Sequence, residues 1–386
     1  NLVSRTDIKP GSQEWWNLAL VPPYSEEFRF LRYCGMEGVK VQARLLHDEI
    51  WSGPAYYPIK LNYWAPELDY FDYMPKESLH KLQQGLFKVL FYYDEGDDPT
   101  VDLLPHLHDM CKRNNININQ IRVATANWNL DGQAPFVFIA DDELYYRYLH
   151  LVRRQQEWVQ EVNLNPREKI LTCLTRADKV WRRVFGSQFV DLGLHIDSYY
   201  SYNNFKYEMY HVDDDKLALW EKSIPKLQEK MSSFSLQLPF KADDLTDAEH
   251  NSHSIINKQH HDNAYWQIVV ETHFDQHTTF LTEKTFKPIL NMQPFVVCGN
   301  PKSLKLLKHL GYKTFSTVLN EDYDNITDHQ QRMTAVLKSA YTIYHTTEKQ
   351  HINIMRNLKP VLEYNQRHFL APKAGRIRNF LSQLEY

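Results

Sequence analysis

The sequence predicts an α/β protein of two domains, each built on a parallel β-sheet. From about residue 84 onward, short apolar segments alternate with longer segments of helical periodicity, which is the pattern of strand–helix–strand units. Residues 294–298 form an uninterrupted apolar run, as a strand covered on both faces requires. The chain has 386 residues, which is long enough for two domains that each bury a core.

The first predicted domain covers residues 1–165. Residues 1–75 are rich in tryptophan, tyrosine and proline without clear periodicity, so short strands and loops are expected there. Their aromatic rings either pack internally or form a wall for a flat acceptor such as a sugar or a base. The predicted strands that follow are residues 87–93, 121–126 and 136–140, and the predicted helices are residues 99–113 and 142–162.

The second predicted domain covers residues 166–386 and follows a linker that contains Pro166. Its predicted strands are residues 169–174, 197–201, 266–270 and 294–298, and its first predicted helix is residues 178–190. Residues 213–262 interrupt the alternation and are interpreted as an insertion, with a helix at 213–231 and then a polar, histidine-rich loop. Beyond Phe315 the chain is predicted to be mostly helical, including residues 328–345 and a tail at residues 376–386.

The composition is that of an ordinary globular protein, with 43% hydrophobic and 24% charged residues. No apolar run approaches the length of a membrane span, and the first residues lack the apolar core of a signal peptide, so a cytoplasmic location is expected. The net charge of −4 argues against a nonspecific nucleic-acid binder. The 4 cysteines are far apart and lack metal-ligand spacing, which predicts reduced, buried thiols.

The most specific motif lies in the last third of the chain. Thr282-Glu-Lys opens a predicted helix, a buried strand follows, and Gly299-Asn-Pro turns the chain into another helix. A helix start offers N–H groups and the positive end of the helix dipole to a phosphate, and Lys284 and Lys287 add full charges. The alternative is a solvated helix face, because Glu283 and Lys287 have the i, i+4 spacing of a surface ion pair.

This motif resembles the donor-binding core of GT-B glycosyltransferases, specifically of a family encoded mainly by bacteriophages. The matching positions are residues 282–289, 293–295, 299 and 301, and the similarity continues through residues 303–305 and 310–315. Residues 270–272 and the turn within residues 174–182 also fit, and a more distant likeness runs to fucosyltransferases. Residues 177–179 depart from the family pattern, which often has Pro or Arg in this turn.

The resemblance implies two Rossmann-like domains that face a cleft, with a helical C-terminal tail. The C-terminal domain would bind a nucleoside diphosphate sugar, and the N-terminal domain would bind the acceptor. The donor-binding residues that the resemblance and the local sequence indicate are Arg176, Arg182, Glu271, Thr282, Glu283, Lys284 and Lys287.

Each of these residue types suits a donor. The planar fork of an arginine can donate two hydrogen bonds to one phosphate, and Arg176 follows a predicted strand end. The likeness places Glu283 near the ribose hydroxyls. Glu271 is expected to orient this site or the sugar, with a strand-end or capping carboxylate as its alternative role. Asn300 is expected to cap the following helix.

An inverting transferase needs a base in the N-terminal domain to take the proton of the acceptor hydroxyl. Carboxylates at the ends of predicted strands suit this task, and the candidates are Glu95, Asp97 and Asp141, with Asp142 beside the last. Their alternative role is turn formation, which aspartate favours. Whether the reaction inverts or retains stays open.

No metal is expected. The segment Asp213-Asp-Asp215 has the Asp-x-Asp spacing that holds Mn or Mg in transferases of the other major fold, but it directly precedes a predicted helix and is interpreted as a helix cap. The histidines match no common zinc spacing and are interpreted as part of the polar loop; they are His250, His253, His260 and His261.

The sequence therefore predicts a metal-independent glycosyltransferase, with a UDP-sugar favoured as donor and a GDP-sugar next. The acceptor hydroxyl would belong to hydroxymethylated cytosine in phage DNA or to a glycan, and a phage-encoded enzyme would act in the host-cell cytoplasm. A DNA acceptor requires base flipping and cations along the phosphates, which the charge of −4 makes less favourable. The alternatives are a non-catalytic nucleotide- or glycan-binding protein that keeps the fold, and a structural phage component.

Overall fold

The computed structural model describes residues 56–60, 69–72, 74–93, 103–130, 143, 146–147, 150–151, 158–205, 214–242 and 256–385. The chain divides into two compact units, one formed by residues 1–148 with residues 372–386, and the other by residues 149–371. Each unit contains a parallel β-sheet, and helices lie between the strands along the chain. The predicted α/β class with parallel sheets is confirmed.

The first unit carries a three-stranded sheet in the order β1-β2-β3. Its strands are β1 (Tyr56–Lys60), β2 (Lys88–Tyr93) and β3 (Ile121–Thr125), and both pairings are parallel. Helix α1 (Lys76–Gln83) precedes β2, and α2 (Leu103–Arg113) lies between β2 and β3 in the chain. Tyr70 and Phe71 pack edge-on against Phe91, with ring centroids 5.9 and 6.1 Å apart, so these two aromatic residues belong to the core.

The second unit carries a four-stranded parallel sheet in the order β5-β4-β6-β7. Its strands are β4 (Lys169–Ala177), β5 (Ser198–Phe205), β6 (Ala264–Val270) and β7 (Phe295–Cys298). The chain adds β5 on one side of β4 and then β6 on the other, so the connections reverse direction between β4 and β6. At such a switch point the loops diverge and leave a crevice at the carboxyl edge of the sheet, where open α/β sheets bind ligands.

Helices of the second unit lie between and after its strands in the chain. They are α3 (Val180–Asp191), α4 (Asp214–Glu221), α5 (Leu227–Leu236), α6 (Lys258–Asp262), α7 (Glu283–Leu290), α8 (Ser303–His309), α9 (His329–Tyr344) and α10 (Glu348–Leu370). Every residue of β6 and β7 is buried, as their apolar sequences predict. The carboxyl ends of these strands are therefore held by a rigid core.

Helix α11 (Ala374–Glu385) closes the described chain and belongs to the first unit. The buried carboxylate of Glu143 accepts from Lys373 Nζ at 3.3 Å and also pairs with Arg376. A buried carboxylate is stable only when it is paired and hydrogen-bonded. The C-terminal helix is therefore anchored in its unit by charge as well as by its apolar face.

Two predicted helices differ from the structure. The helix predicted at residues 213–231 is two helices, α4 and α5, because Pro225 cannot continue a helix and Lys226 is left-handed at φ 57°. The helix predicted at residues 142–162 ends earlier, since residues 158–162 are not helical. The carbonyl of Val159 accepts instead from Gln366 Nε2 of α10 at 2.7 Å.

The prediction that His260 and His261 belong to a polar loop is wrong. His260 and His261 lie in α6 and are buried, because the pair covers the start of the sheet. His261 Nδ1 is 2.8 Å from Gln293 Oε1, and the carbonyl of His260 accepts from Thr172 Oγ1 at 3.0 Å. His250, His253 and Asp213 lie outside the described residues.

The thiols of Cys111, Cys173 and Cys298 are free and buried, as predicted, and burial raises the pKa of each. Among the described helices, none combines the length and the apolar character that crossing a membrane requires.

Candidate functional site

Glu271 organises the start of α7. It directly follows β6, it is 1% exposed, and its carboxylate accepts four hydrogen bonds. Oε1 accepts from the Thr282 main-chain N–H at 3.1 Å and from Thr285 Oγ1 at 2.5 Å. Oε2 accepts from Thr282 Oγ1 at 2.7 Å and from the Thr272 N–H at 3.2 Å. The negative charge is favourable at a helix N-terminus, and it holds Thr282 where its hydroxyl caps α7.

Gly299, the first residue after β7, lies against the aliphatic part of the Glu271 side chain. A Cβ at Gly299 would be 3.2 Å from Glu271 Cβ and 3.2 Å from Val297 Cγ1. A side chain here would require its neighbours to shift by a few tenths of an ångström, so glycine permits the closer approach. The end of β7 and the start of α7 are consequently packed together through Glu271.

Two lysines converge on Thr272 from different helices. Lys179, the residue before α3, donates from Nζ to the Thr272 carbonyl at 3.0 Å. Lys284 Nζ donates to Thr272 Oγ1 at 3.2 Å, to Thr282 Oγ1 at 3.1 Å and to Glu283 Oε1 at 3.0 Å. The Lys284 side chain is 28% exposed, and the three oxygen atoms hold its ammonium in place.

The turn between β4 and α3 is fixed by an internal charge pair. Asp178 accepts from Tyr202 Oη at 2.8 Å and pairs with Arg183. The following residue, Lys179, occupies the N-cap position of α3 but makes no side-chain capping bond. The positive end of this helix thus adds to the charge of the lysine. Asp178 therefore has a structural role here.

Arg182 contributes to the framework of the site. It is 4% exposed, and its Nη2 donates to the Glu271 carbonyl at 2.6 Å, while Nη1 donates to the Ala177 carbonyl at 3.3 Å. Its guanidinium lies 5.2 Å from the centre of the Trp181 ring. This arginine therefore links the end of β4 to the end of β6 and leaves a buried positive charge between them.

Arg176 is half-buried near the end of β4. The pairing of β4 with β5 loses its register at this residue, because Thr175 pairs with Tyr202 and Ala177 with Phe205. Such an irregularity redirects a side chain and is common beside binding sites. On the other side, Thr172 pairs with Gln267 of β6. Continuing this parallel register by four residues places Arg176 level with Glu271, which follows β6 at the carboxyl edge of the sheet.

The pKa of His273 reflects the charge of this edge. His273 is 6% exposed, and burial lowers its pKa to about 3, with Lys179, Arg182 and Lys284 lowering it further. Burial also lowers the pKa of Lys287 to about 8, although Glu283 opposes the shift, and Lys284 adds to it. Cations also outnumber carboxylates among the charged side chains at this edge, which are Arg176, Lys179, Arg182, Lys284 and Lys287 against Glu271 and Glu283.

The predicted donor residues all belong to this edge or to the first turns of α7. Arg182 and Glu271 are buried and bonded to the protein, whereas Arg176, Glu283, Lys284 and Lys287 are half-buried. The catalytic-base candidates Glu95, Asp97 and Asp141 lie outside the described residues, and so does Asp142.

The structure adds Lys179, Thr272 and His273, which the sequence analysis missed. Each lies just beyond the end of β4 or β6, and that position was the signal that could have found them. Asn300 does not cap α8, because its N-cap residue is Lys302 in the left-handed region at φ 68°.

The arrangement suits an anion. Within the described residues, no group of three or more histidine, cysteine, aspartate or glutamate side chains could hold a metal ion. Two helix N-termini and several cations meet at the switch point, which is the combination that binds phosphate groups in α/β proteins.

Comparison of the chain with protein-family models, with curated proteins and with solved structures finds no match. The chemistry of this edge is therefore the basis for assigning a function.

Proposed function

We propose that the protein is a GT-B glycosyltransferase that moves a sugar from a nucleoside diphosphate sugar to a hydroxyl group. The observation that carries the proposal is the excess of cations at the switch point between β4 and β6, where Lys179 and Lys284 converge on Thr272. The similarity of residues 282–289 to the donor-binding motif of these enzymes, and the parallel sheet in each unit, support it.

The geometry suits a departing diphosphate. Lys284 is held by three oxygen atoms at 3.0–3.2 Å, so its ammonium does not have to be ordered when the ligand binds. Preorganised cations of this kind stabilise the charge that develops on a leaving group more than they stabilise the substrate. Arg176 and Lys287 would add charge from β4 and from the next turn of α7, and Glu283 would accept from the ribose hydroxyls.

UDP-sugar is the proposed donor, with GDP-sugar next, and no metal is required, because the protein's own cations offset the diphosphate charge. The first unit is proposed to bind the acceptor and to supply the base, with Glu95, Asp97 and Asp141 as candidates. The acceptor is a hydroxyl of hydroxymethylated cytosine in DNA or of a glycan.

Thermal unfolding with UDP, GDP, CDP or ADP, each with and without EDTA, tests the proposal. A ligand at about 100 times its dissociation constant adds about 2.7 kcal/mol of stability. We expect one nucleotide to raise the melting temperature regardless of EDTA, and Lys284→Met to reduce that rise by about half or more. Lys338→Met is the matched control, because Lys338 is an exposed lysine of α9. No rise with any nucleotide would contradict the donor site.

The alternative function is a non-catalytic nucleotide- or glycan-binding protein, which would show the same stabilisation. Release of UDP from UDP-glucose separates the two, because only an enzyme turns over. In an enzyme, Arg176→Met and Lys284→Met should each lower kcat by roughly 10²-fold or more, since these charges act on the leaving group. Binding of UDP by a protein that never releases UDP from a sugar panel would favour the alternative.

A further inference from the structure

Arg332 of α9 is a buried cation beside the candidate site and is 2% exposed. Its Nε donates to the Gly299 carbonyl at 3.1 Å, and its Nη2 donates to the Phe274 carbonyl. Its Nη1 donates to the carbonyls of Ile326 at 2.7 Å and Thr327 at 3.0 Å. All hydrogen bonds of this guanidinium within the described residues therefore go to main-chain carbonyls.

Two of these carbonyls belong to the segments that carry the site. Gly299 follows β7 and lies against Glu271, the carboxylate that holds the start of α7. Phe274 follows β6, shortly after Thr272, to which both site lysines donate. The Arg332 side chain thus joins the segment after β7, which lies against Glu271, to the segment after β6, which positions Lys284.

The Asn300 side chain adds no restraint to the segment after β7. Both polar atoms of the Asn300 side chain are buried without a hydrogen-bond partner, although Asn300 is only 3% exposed. Its carbonyl accepts from Ser303 Oγ at 2.7 Å, which ties it to α8 rather than to the site. The Glu271 N–H donates to the Cys298 carbonyl at 2.9 Å, so the sheet holds the chain as far as Cys298, and Arg332 holds the Gly299 carbonyl beyond it.

Burying this charge is costly for the fold. Burial lowers the pKa of Arg332 to about 10, and the guanidinium lies 4.4 Å from the centre of the Phe274 ring. An apolar side chain of similar volume would avoid the desolvation cost. Only arginine offers five donors in a fixed plane, which is what joining several carbonyls from separate segments requires.

We propose that Arg332 is a positioning residue for the candidate site. It fixes the segments after β6 and β7, so that Glu271 and Thr272 hold the start of α7 and Lys284 in the geometry that a diphosphate needs. The nature of the ligand rests on the proposed function, whereas the mechanical role of Arg332 does not.

Arg167 provides a matched control at the opposite edge of the same sheet. It also donates to main-chain carbonyls, those of Ala264 at 2.5 Å and Asn163 at 2.9 Å, and burial lowers its pKa to about 10. Arg167 precedes β4 and donates to the first residue of β6, so it joins main-chain carbonyls at the edge of the sheet remote from the candidate site.

The test compares UDP affinity, measured by calorimetry, for Arg332→Lys and Arg332→Met with that for Arg167→Lys and Arg167→Met. Both pairs are expected to lower the melting temperature. Only the Arg332 pair should weaken UDP binding, on the order of 10-fold to 100-fold, because small displacements of a binding group have effects of that size. Lysine should not restore binding, since one ammonium cannot join several separate segments.

The outcomes distinguish the proposed function from the positioning role of Arg332. If the wild type binds no nucleotide, the proposed function is wrong. If the wild type binds UDP and the Arg332 variants bind it equally well, or the Arg167 variants lose as much affinity, the positioning role is wrong. Should the Arg332 variants not fold, Gly299→Ala leaves Arg332 in place and pushes the same segment against Glu271. Unchanged UDP binding by Gly299→Ala would show that the position of the segment after β7 does not affect the site, which would overturn the positioning role.

Discussion

Replacing Glu271 by glutamine tests how the start of α7 is held. The two carboxylate oxygens accept from the main-chain N–H groups of Thr272 and Thr282 and from the hydroxyls of Thr282 and Thr285. In Glu271→Gln, the amide nitrogen must face one pair of these donors. The hydroxyls can rotate to accept from it, but one main-chain N–H loses its acceptor in either orientation.

The expected cost follows from these contacts. Hydrogen bonds to a charged group contribute about 1.5–3 kcal/mol and neutral ones about 1, and an unpaired buried N–H adds its own penalty. Allowing for relaxation, we expect a loss of about 3 kcal/mol. For a unit the size of residues 149–371, this corresponds to a fall in Tm of roughly 6–12 °C.

Glu283→Gln is the matched control, because it is the same substitution at the same helix start. The Glu283 carboxylate contacts Lys284 Nζ at 3.0 Å, and a partly exposed pair of this kind contributes up to about 1 kcal/mol. The assay is thermal unfolding followed by circular dichroism. Equal falls in Tm for the two variants, or no fall for Glu271→Gln, would refute the assignment of Glu271 as the organiser of α7.

Three further predictions concern charge. Because the pKa of Lys287 is lowered to about 8, UDP affinity should fall as pH rises through that value, and a calorimetric pH series should show no such fall for Lys287→Arg. The buried imidazoles of His261, His273 and His351 have pKa values lowered to about 3, 3 and 4, below the unfolded value of about 6.5. The unfolded chain therefore binds more protons, and stability should fall by about 1.4 kcal/mol per pH unit for each histidine below pH ~6.5; a Tm unchanged from pH 6.5 to 5 would contradict this. Glu143→Ala leaves the buried Lys373 and the partly exposed Arg376 without their carboxylate and should cost about 3 kcal/mol, measured by unfolding, whereas a stable variant resistant to proteolysis of its C-terminal helix would show that these ion pairs are dispensable.

The two strands β6 and β7 could be predicted from the sequence because they are largely apolar runs, buried along their whole length. The break between α4 and α5 was missed for a physical reason. Trp220, Ile224, Leu227 and Met231 keep helical spacing across the break, and all four are buried. Both helices bury one apolar face, so the helical spacing of apolar residues continues through residues 222–226, where the backbone is not helical. Packing sustains that periodicity, and only the proline marks the turn.

The site could be predicted only in part. The motif at Thr282 located the helix start and its charges. Sequence alone does not show that Glu271, and not Glu283, is buried beneath the start of α7. Glu271 is buried there because Gly299 leaves room for it and Thr285 donates to it, and both are remote in the chain. The contact between Lys179 and Thr272 joins residues 93 positions apart, and no local pattern encodes such a contact.

The most direct test of the central claim is the affinity of wild type and Lys284→Met for UDP and for uridine, measured by calorimetry at one salt concentration. If the carboxyl edge between β4 and β6 binds the diphosphate, the variant should lose about 1.5–3 kcal/mol of UDP binding, which is more than 10-fold, and bind uridine as the wild type does. Equal UDP affinity in the two proteins, or an equal loss for uridine, would contradict the assignment of this edge as a diphosphate site.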